Sequence, residues 1–339
     1  MSVRIVTQAE VEQLLPMSEC VELMSEALMT LARGDAVLPL RSMVRLPDRS
    51  GLLGLMPAYL GSPRIMGLKV VTVMPGNHGT EYDSHQGAVL IFEVEHGSPL
   101  AIIDGTSITA IRTAAVSGVA TRALAREDAG DLAILGSGVQ AASHLDAMNS
   151  VRTLRRVRVW GRDAGRARAF AERASARHRL RVEIAGSARA AVEGADLVCT
   201  TTSARQPVLE GAWLSPGVHV NAVGACTRDA RELDTAAVAG ARLYVDRRES
   251  ALNEAGDFLI ARDEGAFGDD HIVGELGDVL IGRAPGRRMP AERTLFESLG
   301  IAVEDLAAAH HIWRKAELQE RGITVELGGR REVAPGPSR

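Results

Sequence analysis

Cysteine is scarce: Cys20, Cys199 and Cys226 are the three in 339 residues. They are odd in number and scattered, so a disulfide framework is not expected and a reducing cytoplasm is the expected compartment. No apolar run approaches the roughly 20 residues that a membrane helix requires. Glu10 and Glu12 sit where a signal peptide would need an unbroken apolar core. There is no block of Lys and Arg interleaved with aromatics, and the net charge of −4 with a pI near 6.2 argues against nucleic acid as a partner. Metal-ligand spacing is missing as well. His310-His311 has no Asp, Glu or Cys cluster beside it, Asp269-Asp270 reads as a solvated acidic loop, and His78 as a loop residue, so no metal is expected. What remains is a soluble globular chain of 36.1 kDa, long enough for two domains.

From the start, Thr7-Gln8-Ala9-Glu10 forms a capping box that opens a short helix. Ser18 is expected to cap a second helix, whose Val21, Met24, Leu28 and Leu31 recur at helical spacing until Gly34. Between about 37 and 104 the pattern changes to strands at 42–46, 51–56, 65–73, 88–94 and 100–104, separated by Pro and Gly. An Ala-rich helix follows over 108–125. From Asp131 strands and helices alternate, with strands at 132–135, 157–160, 182–185, 197–201, 218–222 and 243–245. Such alternation predicts a doubly wound parallel sheet of about six strands, of the Rossmann type, beside a mixed α+β first domain. The stretch after Asp246 reads as irregular and acidic, a helix runs over 303–320, and the Gly/Pro/Arg-rich tail beyond Gly328 is expected to fray.

The most informative stretch is Asp131–Ala141, where an apolar strand ends in Gly136-Ser137-Gly138-Val139-Gln140-Ala141 and opens into a helix. Gly136 allows the tight turn and Gly138 the approach of a pyrophosphate. Ala141 permits close packing, and the free N–H groups at the helix start face the anion. After the second strand, Trp160-Gly161-Arg162 offers no acid for a ribose until Asp163. Arg162 suits a 2′-phosphate, which favours NADP(H) with NAD(H) as the other option, although a solvated surface arginine fits the sequence equally well. Thr201 and Thr202 follow the fourth strand, where ligands of such sheets lie; threonines are also ordinary strand ends.

Three cations stand in or beside apolar segments of the first part: Arg45, Lys69 and Arg112. Lys69 lies within Gly67–Val73, a strand otherwise fit for burial. A buried lysine must be paired or lose proton affinity, and an acid directed at an imine or carbonyl needs that property. The alternative is a lysine on the solvent side of its strand. Two arginines on one pocket suit bidentate capture of a carboxylate; structural ion pairs would use the same residues. His85 is a second-tier candidate beside the same strands. Cys226 reads as a small packing residue more readily than as a thiol nucleophile.

Segments spread along residues 1–325 resemble the ornithine cyclodeaminase/mu-crystallin family. They include Met56-Pro57-Ala58-Tyr59, Gly67–Val73, Pro75-Gly76-Asn77, Ile108–Ala115, Leu135–Ala141, Val220–Ala225, Glu232-Leu233-Asp234, Glu275–Val279 and Thr294–Gly300. The resemblance implies that Arg45, Lys69 and Arg112 contact substrate, and that Gly136, Ser137, Gly138, Val139, Gln140, Arg162, Thr113, Thr201, Thr202, Val223, Gly224, Ser298 and Gly300 bind the dinucleotide. It also implies a homodimer, with a substrate and dimerisation domain over 1–118 plus 303–339 and a dinucleotide domain over 119–302. Members act on amino or imino acids as lyases that cyclise ornithine, alanine dehydrogenases or imine reductases, and one crystallin binds a small ligand.

The cyclising branch carries an aspartate where this chain has Cys226, and Trp160-Gly161-Arg162 is similar to the NADPH-using branch. Both features favour a reductase of 2-imino acids. Small imino, amino or oxo acids are then the expected substrates. In that reading Arg45 and Arg112 grip a carboxylate, Lys69 activates the C=N bond, and hydride passes to C2.

Overall fold

The structure, a computed structural model, describes residues 2–77 and 79–329; His78 and the tail from 330 lie outside them. The chain opens with β1 (Ser2–Val6), α1 (Gln8–Leu14) and α2 (Met17–Ala32). The capping box forms, with the Thr7 N–H donating to the Glu10 carboxylate at 3.0 Å. The second helix begins at Met17 rather than after Ser18, because Pro16 holds φ −58° just ahead of it. Then come β2 (Ala36–Val37), β3 (Ser42–Arg45), β4 (Leu52–Gly61), β5 (Arg64–Val73), β6 (His85–Phe92) and β7 (Pro99–Asp104). Asp104 caps α3 (Gly105–Leu124), its carboxylate accepting from the Ser107 N–H at 2.8 Å.

Strand and helix then alternate: β8 (Asp131–Leu135), α4 (Val139–Val151), β9 (Arg156–Trp160), α5 (Ala164–His178), β10 (Val182–Ile184), α6 (Ala188–Val192), β11 (Leu197–Thr200) and β12 (His219–Ala222). Next are α7 (Thr235–Ala239), β13 (Arg242–Val245), α8 (Arg248–Glu254), α9 (Gly256–Asp263), β14 (Ile272–Glu275), α10 (Leu276–Leu280) and β15 (Thr294–Glu297). The chain ends, among described residues, with α11 (Ala302–Leu318) and β16 (Ile323–Glu326).

The second sheet runs β10-β9-β8-β11-β12-β15-β13-β14 with every pairing parallel, a Rossmann-type doubly wound sheet. It has eight strands among the described residues rather than six. The stretch after Asp246 is therefore not irregular: it supplies α8, α9, α10 and two further strands. β14 and β15 each carry only two adjacent apolar residues, Ile272-Val273 and Leu295-Phe296, before ending at Glu275 and Glu297, too few to mark a strand. β15 inserts between β12 and β13, so residues distant in sequence reach the centre of the carboxyl edge.

The first sheet runs β16-β1-β7-β6-β5-β4-β2, with β3 beside β4, and is antiparallel except where β1 meets β7. On β5, Ile65 and Lys69 are buried on one face while Met66, between them, is exposed on the other. A Cβ on Gly67 would sit 3.2 Å from Leu306, so this inward face packs on α11. α3 is rich in small residues and buried on most sides; a Cβ at Gly118 would lie 3.2 Å from Val21 of α2 and 3.7 Å from Ala147 of α4. It is the shared spine between the two sheets. Tyr244 and Phe296 from the second sheet join the core of the first. No helix among the described residues is long and apolar enough to cross a membrane.

Candidate active site

At the carboxyl edge of the second sheet, the Gly136 N–H donates to the Trp160 carbonyl at 2.8 Å. Gly136 has φ +126°, and a Cβ there would lie 2.6 Å from Thr201 Oγ1, so glycine is required. Thr201 is anchored in turn, its N–H and its hydroxyl donating to the Leu135 carbonyl at 2.8 and 3.1 Å. Gly138 is different. A Cβ there would meet nothing within 4 Å, and α4 starts at Val139 with no side-chain cap. The helix end is open and the space before it is vacant of protein, which fits a pyrophosphate at the start of α4. Val139 is 61% exposed there, a large apolar side chain without a protein partner surface. Ser137 lies against Gly161, where a Cβ would be 3.1 Å from its Oγ.

Two buried carboxylates hold the neighbouring loops. Glu232 accepts from the Thr202 N–H at 2.6 Å and the Gly224 N–H at 2.7 Å, joining the loops after β11 and β12. Asp246 accepts from the Leu299 and Gly300 N–H groups at 2.8 and 2.7 Å, fixing the turn after β15. Burial pushes Asp246 up to about 6, against the pull of those N–H donors, and raises Glu232 as well. Val223 and Thr113 are buried near this edge, and the Ser298 Oγ and Gln140 Oε1 are buried without a hydrogen-bond partner. Such orphaned polar atoms suit a polar ligand that completes them. Arg162 is exposed beyond β9, and Asp163 is occupied as the cap of α5, accepting from the Arg166 N–H at 3.0 Å.

Below this edge lies a buried charge network. Lys69 Nζ donates to Asp305 at 3.1 Å and to Thr109 Oγ1 at 3.2 Å. Arg112 donates from Nε to Asp305 Oδ1 at 2.9 Å and from Nη1 to Glu304 Oε2 at 2.7 Å. Lys69 is 2% exposed and Arg112 3%, while Glu304 and Asp305 are fully enclosed. Burial, reinforced by the Arg112 charge, pushes the Lys69 ammonium down to about 8 against the attraction of Asp305 and Glu304. Burial pushes Glu304 up to about 8 as well. For Arg112 burial works against the charge, yet Asp305 and Glu304 outweigh it and raise its affinity for the proton. The two regions meet at Thr109, whose carbonyl lies 3.5 Å from Gln140 Nε2 on the cofactor helix.

Gly300 closes the network from above. Its φ is +73°, and a Cβ would fall 2.3 Å from Arg112 Nη1.

Of the three cations singled out in the sequence, Lys69 and Arg112 come together and Arg45 does not. Arg45 is exposed on β3, 3.9 Å from Met43 Sδ, in a strand whose Ser42 and Val44 are exposed as well, and its charge is felt by Asp229 in the loop after β12. A further arginine, Arg41, lies half-buried just ahead of β3. It donates to Glu254 of α8 from Nε at 2.8 Å and lines a pocket with Leu38, Met56, Gly300 and Ile301. Arg41 holds its charge more firmly than usual despite burial, through Glu254 and then Cys226 and Asp246. Cys226 itself donates its thiol to the Val223 carbonyl at 3.2 Å, and burial pushes it up to about 11, which fits packing and not nucleophilic attack. His85 is solvent-accessible at the start of β6; desolvation and the Lys69 charge lower its proton affinity. No cluster of potential metal ligands exists among the described residues.

Sequence reasoning missed Arg41, Glu304 and Asp305. The acids stand in the first turn of a helix whose apolar period dominates its pattern, so nothing local marks them as partners of Lys69 and Arg112.

A parallel Rossmann sheet with an open helix start, facing a buried lysine and arginine, is the architecture of a dinucleotide-dependent oxidoreductase. The chain belongs to the ornithine cyclodeaminase/mu-crystallin family, whose profile matches residues 1–320. The ketimine reductase mu-crystallin of Mus musculus is 42% identical over 280 residues, which cover 83% of this chain and 85% of that protein. The Thermococcus litoralis Δ1-pyrroline-2-carboxylate reductase in complex with NADH and L-proline superposes with a TM-score of 0.93 at 37% identity, covering 95% of this chain and 100% of the other. An archaeal alanine dehydrogenase dimer with bound NAD gives 0.91 at 30% identity, covering 97% and 100%.

Replacing Gly300 by alanine is expected to lower folding stability by about 1–3 kcal/mol in urea unfolding, since it forces a side chain into a left-handed backbone and against Arg112.

Proposed function

We propose that this protein is an NAD(P)H-dependent reductase of 2-imino acids, cyclic imines or ketimines, yielding the amino acid. The observation that carries the reading is the Lys69 ammonium, buried at 3.1 Å from Asp305 and linked through Thr109 to the cofactor helix. A bound nicotinamide supplies the hydride. Gly136, Gly138 and the start of α4 hold its pyrophosphate, with Ser137, Val139, Gln140, Thr201, Thr202, Val223, Gly224 and Ser298 along the edge and Thr113 below. Arg112, with Arg41 in the role expected of Arg45, grips the substrate carboxylate. Lys69 protonates the imine nitrogen and raises the electrophilicity of its carbon. Cys226, whose thiol is spent on Val223, supplies no carboxylate base for cyclisation, which favours reduction over ammonia loss.

The test is a panel of cyclic imino acids, and of 2-oxo acids with ammonium or methylamine, followed by NADPH absorbance. Turnover of the imino acids is expected, with kcat/KM falling above about pH 8 as Lys69 loses its proton. Lys69→Ala should lose about 10²–10⁴-fold in kcat; full retention would refute the role of Lys69.

NADP(H) is the favoured cofactor because Arg162 follows β9 while the nearest acid, Asp163, serves as a helix cap. Arg162→Ala should raise KM for NADPH about tenfold or more and leave KM for NADH nearly unchanged, in steady-state assays run with both cofactors.

The homodimer reading is supported by the outer face of the first sheet. Register aligns Leu55, Val70 and Ala88 in one row, Pro57, Leu68 and Leu90 in the next, and Tyr59, exposed Met66 and Phe92 beyond. Light scattering should give twice the 36.1 kDa chain mass, and Val70→Asp should yield monomers.

A further inference from the structure

Resting on the reductase reading, we propose that Asp305 is a positioning residue for Lys69: it anchors the ammonium at the face of the imine and keeps it protonated for transfer. An ammonium has three N–H donors. In this site Asp305 takes one and Thr109 takes another. The Thr109 hydroxyl already donates its own hydrogen to the Gly105 carbonyl at 2.7 Å, so towards Lys69 it can only accept. Two fixed acceptors on known sides aim the third N–H away from both, and that hydrogen is the one to hand over.

The charge balance singles out Asp305 among the groups that face Lys69. Arg112 on α3 repels the ammonium, and Asp305 and Glu304 on α11 attract it. His85 on β6 feels Lys69 and has Asp83 beside it. Cys20 on α2 faces Arg112 and Glu304. Glu304 is committed to Arg112 through Oε2. Among the described residues Asp305 alone touches both cations, Arg112 Nε at 2.9 Å and Lys69 Nζ at 3.1 Å. It also stands in the first turn of α11, where the positive end of the helix favours a carboxylate. With its charge removed, burial and Arg112 act on Lys69 with only Glu304 to oppose them, and the proton leaves at lower pH.

The chain contains two lysines, Lys69 and Lys315, so lysine labelled with ¹³C at Cε gives two side-chain signals whose titration needs no turnover. The proposal expects Lys69 in Asp305→Asn to titrate at least about one pH unit below wild type, while Lys315, on the surface beside Glu19, stays put. In the imino-acid assay the upper limb of kcat/KM should move down with it, a loss of about fivefold or more near pH 8 and much less near pH 6. Asp305→Glu should restore the titration but lower kcat, since the longer side chain displaces the ammonium. An unmoved Lys69 titration in folded Asp305→Asn overturns the proposal, whatever the loss of rate. If Asp305→Asn does not fold, Asp305→Glu decides, and an unchanged kcat in that variant overturns it. A wild-type protein that reduces no imino acid refutes the reductase reading, and the NMR titration still decides whether Asp305 governs the proton on Lys69.

Discussion

Two cations cannot be buried side by side without a carboxylate between them. Lys69 and Arg112 are almost completely removed from water, and removing a charge from water costs several kcal/mol unless geometry returns it. Asp305 meets both and Glu304 meets the arginine, so β5, α3 and α11 are locked in one arrangement. The helix at residue 302 must return to the first sheet for that pairing to exist. The rest of the site is arranged around this knot: Gly300 is glycine because Arg112 lies under it, and the Gly300 N–H is held by Asp246.

The same logic recurs at the cofactor edge. Strand ends of a parallel sheet leave backbone N–H groups pointing into loops, and buried carboxylates collect them. Glu232 takes those of Thr202 and Gly224, and Asp246 those of Leu299 and Gly300. These acids rigidify the loops that flank the nucleotide cleft without offering themselves to the ligand. The protein thus uses buried acids as internal clamps, on backbone N–H groups at this edge and on the cations Arg41, Lys69 and Arg112 below it.

Much of this was legible in the chain. Strand–glycine–helix chemistry at 131–141 identified the nucleotide edge because Gly136 answers a local steric demand and Gly138 leaves the start of α4 open. Lys69 stood out because an ammonium inside Gly67–Val73 conflicts with its surroundings, and the structure buries it as that conflict suggested. Arg45 illustrates the opposite case. Arg41 stands just ahead of β3 and Arg45 ends it, and only the packing of α8 against the segment ahead of β3 pairs Arg41 with Glu254 and leaves Arg45 exposed. β14 and β15 escaped notice because each carries only two adjacent apolar residues, Ile272-Val273 and Leu295-Phe296, too few to stand out as a strand.

By itself the sequence determined the fold class, the nucleotide motif and the presence of a lysine and an arginine unsuited to their apolar segments, because these depend on short-range sterics and periodicity. The tertiary structure alone decided which charges meet. Lys69 and Asp305 are 236 residues apart, and Arg112 and Asp305 are 193 apart. Their encounter depends on the return of α11 to the first sheet, and an ion pair across such a separation leaves no local pattern for a reader of the chain to find.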